Sequence, residues 1–401
     1  MRRVFKNYIF LVFIFYSSAN QAQSELTYIK SEFTVADSIA SQYKYSSDGV
    51  QDSILISLKE EWKGSEKTSL IYFVKSKFAA SSSKYNTAIS ELDSALSLTK
   101  TPFFRGQYLI YKGSLSIFVN DLSTSLNSLL NAQKIAEDLE DDKLKCQVLI
   151  VRAELNRVLV KYDAALKNLE EAEMLLEQSD LEISLKIRIY DRYAAIYASK
   201  DGSVPARYYS IKALFLAEEI GDLNAQAVSH NELGFNYEHS GQIDSAIFHY
   251  NKAINIWSEI DSPVYLSNVL GNLGRLYQRN DQSDSSEYYL LWADRLIRNT
   301  TWYFTKISVY GNLSIINYHK GDSAKFYKYQ SMEQRAQAAL SNSSATDNVV
   351  RIEKQFEQSE NLRIIEKQES EIELNKAESE LEKRRANQFL IFTIISSLGL
   401  I

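Results

Sequence analysis

The sequence is poor in residues that interrupt helices. Its 401 residues include 3 prolines and 13 glycines, and runs of β-branched residues are few. Because proline and glycine break helices and β-branched runs favour strands, this composition indicates an all-α chain. The single cysteine, Cys146, excludes an internal disulfide. We expect its side chain to be buried as a small apolar group.

A strong charge of one sign is also lacking. Acidic residues number 51 and basic residues 45, which gives a formal net charge of −6. Nucleic-acid-binding domains carry a concentrated basic surface. The sequence therefore predicts no nucleic-acid partner for this part of the chain.

The usual catalytic and metal-binding motifs are missing. There is no phosphate-binding glycine-rich loop, no His-Glu-x-x-His, no Gly-x-Ser-x-Gly and no cysteine pair. The four histidines are interpreted as ordinary polar or packing residues. We therefore expect no enzyme activity, no catalytic residues, no metal and no cofactor.

What the sequence does contain is a repeated helical pattern, clearest between residues 225 and 259. This stretch predicts two antiparallel helices with a tight turn at Gly241. Gly234 and Ala253 are small where two helices must approach closely. The pattern residues are Leu233, Gly234 and Tyr237 on the first helix and Ala246, Tyr250 and Ala253 on the second.

These residues resemble the tetratricopeptide repeat, whose pattern is Trp-x2-Leu-Gly-x2-Tyr followed by alanine, an aromatic residue and alanine. His230 stands where the family has tryptophan, and Ser258 where it has proline. The pattern recurs about every 40 residues, which is longer than the usual repeat of 34. The resemblance implies a right-handed α-solenoid of helix pairs over residues 69–339. The longer period predicts that either the helices or the connectors are longer than standard, and long-helix variants occur in ligand- and peptide-responsive members of the superfamily.

The start of the chain is typical of an exported protein. Residues 1–22 have a charged beginning, an apolar centre and a small-residue exit, as in a secretory signal peptide. An uncleaved membrane anchor is the alternative. Residues 23–68 are helical in pattern but match the repeat poorly, so they are interpreted as an N-terminal cap or a degenerate repeat. Both readings of the start place the repeats outside the cytoplasm, in the periplasm or cell envelope.

The end of the chain changes character. Residues 340–349 form a polar linker, and residues 350–387 predict a long charged helix or coiled coil that would pair with a second copy. A solvated helix with i,i+4 charge pairs is the alternative. Residues 388–401 are apolar but too short to span a bilayer, which takes about 20 residues. We expect them to be the start of a transmembrane helix, with the natural chain continuing further.

The concave face of such a solenoid is lined by the first helix of each pair. A mixed surface of arginine, amide and aromatic side chains there suits a peptide or protein partner. The lysine and asparagine set that the family uses to clamp a peptide's two carboxylates is not found. The predicted concave-face residues are Asn231, Phe235, Glu238, His239, Arg275, Gln278 and Arg279.

The order of segments resembles the extracytoplasmic sensor half of bacterial membrane signalling proteins of the histidine kinase or helix-turn-helix regulator type. This resemblance implies a binding module that passes its ligand state along the charged helix to the membrane. A cell-envelope scaffold that holds partners without signalling is the alternative.

Overall fold

The computed structural model describes most of the chain between residues 26 and 384. No strand occurs among the described residues, and the all-α prediction is confirmed. Within them no helix has the length and apolarity needed to cross a membrane. The predicted signal peptide and apolar segment lie outside the described residues. The described residues are 26–44, 46–82, 84–179, 181–200, 203–300, 302–340, 348–355, 358, 368, 370–373, 375–376 and 378–384.

Residues 65–340 form seven antiparallel helix pairs, preceded by two further helices. Helix α1 covers residues 26–43 and α2 covers Asp48–Glu61. The pairs are α3 Ser65–Ser81 with α4 Tyr85–Leu98, α5 Pro102–Phe118 with α6 Leu122–Asp138, α7 Asp142–Val158 with α8 Tyr162–Gln178, α9 Ile183–Ser199 with α10 Ser203–Glu219, α11 Leu223–His239 with α12 Ile243–Glu259, α13 Pro263–Arg279 with α14 Ser283–Ile297, and α15 Tyr303–His319 with α16 Ser323–Leu340.

The predicted period is confirmed. The first helices of pairs two to seven begin at residues 102, 142, 183, 223, 263 and 303, so successive starts differ by 40 or 41. Most of these helices contain 17 residues, which accounts for a period longer than 34. The stack is a solenoid of helix pairs, while its right-handedness stays a prediction.

Several turns between helices share one backbone conformation. The second residue after a helix takes a left-handed conformation, as at Asn120, Glu140, Val160, Gly221 and Gly241. In this conformation the chain reverses tightly, and the last carbonyls of the helix receive hydrogen bonds. Gly241, with φ +71°, confirms the predicted turn of the best repeat.

Helix α1 lies along the first helices of the solenoid. Its Phe33 ring is centred 4.9 Å from that of Phe73 on α3 and 5.8 Å from that of Phe103 on α5. Its Lys30 ammonium lies 2.6 Å from the Asp141 carboxylate, just before α7. First helices line the concave face of a helix-pair solenoid. Helix α1 therefore lies in the groove over the first pairs, while the cap or degenerate repeat at residues 23–68 stays a prediction.

Two distant parts of the stack touch at one point. The Asn120 side-chain amide, in the turn between α5 and α6, donates a hydrogen bond of 2.7 Å to the Leu340 backbone carbonyl at the end of α16. The two residues are 220 positions apart. The turn of pair two therefore lies next to the end of pair seven.

Residues 347–401 form a second compact unit. Its described residues are helical, at 348–355 and at the separate positions given above. This agrees with a helix in the charged stretch, while the coiled coil and the dimer stay predictions. Cys146 is fully buried in α7, as expected.

Candidate peptide-binding groove

The residues that face the groove recur at fixed places in each first helix. Gln107, Gln147 and Arg188 each stand five residues after the start of α5, α7 and α9, and all three line a cavity beside α1. Ser114, twelve residues after the start of α5, lines it as well. By the same register, residues twelve positions after a helix start should face the groove in every pair.

Two predicted residues occupy this groove-facing place. Phe235 and Arg275 stand twelve residues after the starts of α11 and α13, and the Arg275 guanidinium lies 5.9 Å from the centre of the Phe235 ring. The Phe235 ring is in turn centred 4.0 Å from that of His239, one helical turn later. The structure therefore brings these three predicted residues together.

Glu238 has a different setting. Its carboxylate accepts hydrogen bonds from the Tyr250 hydroxyl at 2.8 Å, from Arg275 at 3.1 Å and from Arg279 at 3.2 Å. The side chain is 3% exposed. Glu238 therefore joins α11, α12 and α13 and holds two arginines in place, instead of offering a free carboxylate to a partner.

The remaining predicted residues lie around this cluster. Asn231 accepts a hydrogen bond of 3.2 Å from the side-chain amide of Asn272 on α13. His239 and Arg279 are exposed, and Gln278 is half-buried and takes no part in the ion pairs. The accessible polar groups of the predicted surface are thus Arg279, His239 and the edge of Asn231.

An ionic network that the sequence analysis did not single out lies further along the groove. The Glu154 carboxylate on α7 accepts from Arg157 and from Arg192 on α9, each at 2.7 Å. Burial opposes the charged carboxylate, but the two guanidiniums outweigh it and lower the pKa of Glu154 to about 2. Burial raises the pKa of the adjacent Asp191 to about 7, although Arg192 acts in the opposite direction. The repeat register, which places residue 188 on the groove side of α9, is the signal that could have pointed to this part of the groove.

A histidine pair was also missed. His230 and His249, on α11 and α12, approach to 2.9 Å between their Nδ1 atoms. Burial, His249 and Lys252, in that order, lower the pKa of His230 to about 4. Burial also lowers the pKa of His249. Both shifts favour the neutral rings, one of which donates its N–H to the other. His230 thus makes a polar contact at the position where the repeat family has tryptophan.

The comparisons with known proteins agree with this architecture. The tetratricopeptide repeat family model matches residues 224–293, which correspond to α11–α14. No curated protein matches the chain. Residues 224–293 thus match the tetratricopeptide repeat, and the other helix pairs continue the same all-helical solenoid.

Solved structures show the same fold. A Rap protein complexed with competence and sporulation factor is 14% identical, and the match covers 77% of this chain and 86% of that one with a TM-score of 0.55. NprR in complex with its cognate peptide NprX is 16% identical, covering 75% of this chain and 88% of that one with a TM-score of 0.52. The apo form of RapI is 15% identical, covering 68% and 98% with a TM-score of 0.50. At these identities the likeness concerns the fold.

Proposed function

We propose that this protein is a non-enzymatic peptide- or protein-binding module whose concave groove holds a segment of its partner. The observation that carries the proposal is helix α1, a segment of the chain that lies in the groove against α3 and α5. The groove therefore accommodates a polypeptide segment over its first pairs, and we propose that it does so further along. Rap and NprR, which share the fold, were solved with competence and sporulation factor and with the peptide NprX.

The partner surface that we propose lies between α11 and α13. Phe235 and His239 offer ring faces, while Arg279, with its side chain 60% exposed, offers donors to a peptide carbonyl or carboxylate. The buried Glu238 fixes the positions of Arg275 and Arg279 before a partner arrives. Such preorganisation lowers the entropy cost of binding.

The finer proposal is an extracytoplasmic sensor of a membrane-anchored signalling protein. It rests on the signal-peptide pattern of residues 1–22, the charged stretch 350–387 and the apolar segment 388–401. In the charged stretch, Ile372 and Leu381 are about half exposed, which suits burial against a second copy. The alternative is an envelope scaffold that binds partners without passing on a signal.

Selection from a random-peptide display library against the full chain tests the binding proposal. Peptides that bind should lose affinity at least tenfold when Arg275→Ala and Arg279→Ala are combined. The control is Lys252→Ala, an exposed change on the outer helix α12, which should leave affinity unchanged. If Lys252→Ala lowers the peptide affinity and the double arginine variant does not, the partner binds the outer surface and the proposal is refuted.

Disulfide crosslinking in membranes separates sensor from scaffold. In a chain with Cys146→Ser, a cysteine at position 372 should crosslink to a second copy, whereas one at position 369 should not. A bound peptide should change the crosslinking rate at 372 if the charged stretch passes on the ligand state. A crosslinking rate that is the same with and without the peptide favours the scaffold.

A further inference from the structure

A cavity of about 500 Å³ lies between α1 and the first helices of pairs one to four. Its volume is within the range of small-molecule sites. Its lining combines the aromatic residues Phe33, Phe73, Phe103 and Tyr111 with polar residues of α7 and α9. It is separate from the α11–α13 surface described above.

The cavity lining is basic. It contains Lys30, Lys77, Lys143 and Arg188 against Asp37 and Glu182, so four cations face two anions, a net charge of +2. The three lysines are already paired: Lys30 with Asp141 at 2.6 Å, Lys77 with Asp37 at 3.0 Å and Lys143 with Glu182 at 2.5 Å. Asp141 lies outside the lining and neutralises Lys30, so one unpaired positive charge remains, on Arg188.

Arg188 has no counter-ion of its own. Among the described residues its guanidinium forms no ion pair and no hydrogen bond, although it is exposed to the cavity. Desolvation between the groove walls and the like charge of Arg192 lower its pKa, and the Asp191 carboxylate acts in the opposite direction without forming an ion pair with it. An anion that accepts two parallel hydrogen bonds would stabilise the charged guanidinium at this position.

A second polar group in the same cavity also lacks a partner. The Gln147 Oε1 atom is buried and accepts no hydrogen bond among the described residues. Gln147 and Arg188 occupy the same register position on adjacent first helices, and packed helices lie about 8–10 Å apart. A ligand that bridges them needs an anionic group at one end and an N–H or O–H donor near the other.

We propose that this cavity is a binding site for a small organic acid that carries an apolar or aromatic body and one hydrogen-bond donor. The acid group binds Arg188, and the body rests against Phe33 and Phe103. The Gln147 Oε1 atom is closed to solvent, so the donor binds it once the Gln147 side chain turns toward the cavity. Because Phe33 belongs to α1, the ligand also holds α1 in the groove. The site is independent of the partner surface proposed between α11 and α13.

The probe for this site is 8-anilinonaphthalene-1-sulfonate, which combines a sulfonate, an aromatic body and an N–H donor and fluoresces when shielded from water. Titration of the full chain should show saturable binding of one probe per chain. Arg188→Gln should weaken binding at least tenfold, and Arg188→Lys, which keeps the charge, should weaken it less. The matched control is Arg295→Gln, an exposed change on the outer helix α14, which should leave binding unchanged. Thermal melting of each variant checks that it is folded.

The neutral analogue N-phenyl-1-naphthylamine has the same body without the sulfonate and should bind at least tenfold more weakly. Equal binding of the two probes, or equal binding of the first probe by wild type and folded Arg188→Gln, would overturn the proposal. Displacement of the probe by millimolar inorganic phosphate with no effect of the Gln147→Leu change would also overturn it, since the site would then hold a free inorganic anion. The Arg275→Ala and Arg279→Ala pair should leave probe binding intact, which separates this site from the peptide surface.

Discussion

The Tyr250 ring lies so close to Gly234 that a Cβ added at Gly234 would come within 2.6 Å of Cδ1 and 2.7 Å of Cε1. The ring cannot swing away freely, because its hydroxyl donates to the buried Glu238 carboxylate. Gly234→Ala should therefore lower the free energy of unfolding by about 1–3 kcal/mol through overpacking of α11 against α12. Urea denaturation followed by circular dichroism measures the change.

Gly49→Ala is the matched control for this change. Gly49 lies in helix α2, and a Cβ added there meets no atom within 4 Å. The substitution should stabilise helix α2 by roughly 0.5–1 kcal/mol, the usual gain for alanine over glycine in a helix. Equal effects of the two substitutions would contradict the close approach of Gly234 and Tyr250.

The two arginines on Glu238 should differ in their contribution to stability. The Arg275 side chain is 21% exposed and that of Arg279 is 60% exposed. Arg279→Ala should cost at most about 0.5 kcal/mol, because exposed ion pairs contribute little. Arg275→Ala should cost about 1–3 kcal/mol, since it leaves the buried Glu238 carboxylate with fewer donors. Thermal melts of both variants measure the two losses of stability. A larger loss for Arg279→Ala would contradict the expectation that the more buried Arg275 contributes more.

Much of the fold could be predicted because its determinants are local. The small residue predicted at Gly234 lies where two helices touch, and the neighbour that an added Cβ would meet there at 2.6 Å confirms it. Gly274 has a neighbour at the same distance. The position of α1 could not be predicted. Its buried residues Phe33, Ala36 and Ala40 show an apolar stripe, but a stripe does not tell which distant surface covers it.

The candidate site, like the fold, could be predicted from the sequence only in part. The repeat register placed Phe235 and Arg275 on the groove side, because that property depends only on position within a helix. The repeat register did not show that the Glu238 carboxylate is buried against the Tyr250 hydroxyl, because that contact joins residues on two helices. The pairing of His230 with His249 likewise depends on the packing between α11 and α12.

Val160 offers a stabilising substitution. It has φ +60°, a conformation that is costly for a β-branched residue. The equivalent turn positions after α11 and α15 are Gly241 and Gly321, with φ +71° and +72°. Val160→Gly should raise the free energy of unfolding by about 1 kcal/mol, and Gly241→Val should lower it by a similar amount or more. Denaturant melts of the two variants should move in opposite directions.

Asp191 should make stability depend on pH. Burial raises its pKa in the folded protein to about 7 from an ordinary value of 3.8, against the opposing effect of Arg192. The folded state therefore holds a proton that the unfolded state has released between pH 3.8 and 7. Its contribution is present below pH 3.8 and is lost as pH rises through 7. Asp191→Asn should be more stable than wild type at pH 8, by on the order of 1–3 kcal/mol, and the advantage should shrink toward pH 4.

The comparison must be made between wild type and variant at each pH. His230, whose pKa is lowered to about 4 from 6.5, acts in the opposite direction: its contribution is present above pH 6.5 and is lost as pH falls toward 4. The difference between the two chains removes this effect. A stability difference that is the same at pH 4 and pH 8 would contradict the raised pKa of Asp191.

Helix α1 should leave the groove when its aromatic anchor is removed. Phe33 is 8% exposed and contacts the rings of Phe73, Phe103, Phe104 and Tyr108, with centroids 4.9–6.3 Å apart. Truncation of a buried phenylalanine to alanine costs about 3–5 kcal/mol, and the partly exposed ion pairs of Lys30 and Asp37 recover little of it. In Phe33→Ala, amide hydrogen exchange should therefore increase across residues 26–43 and stay slow in α11–α14. Tyr28→Ala, a change at an exposed residue of the same helix, should leave exchange unchanged. Faster exchange in all seven helix pairs of Phe33→Ala would show that α1 is part of the folding core and is not a separable occupant of the groove.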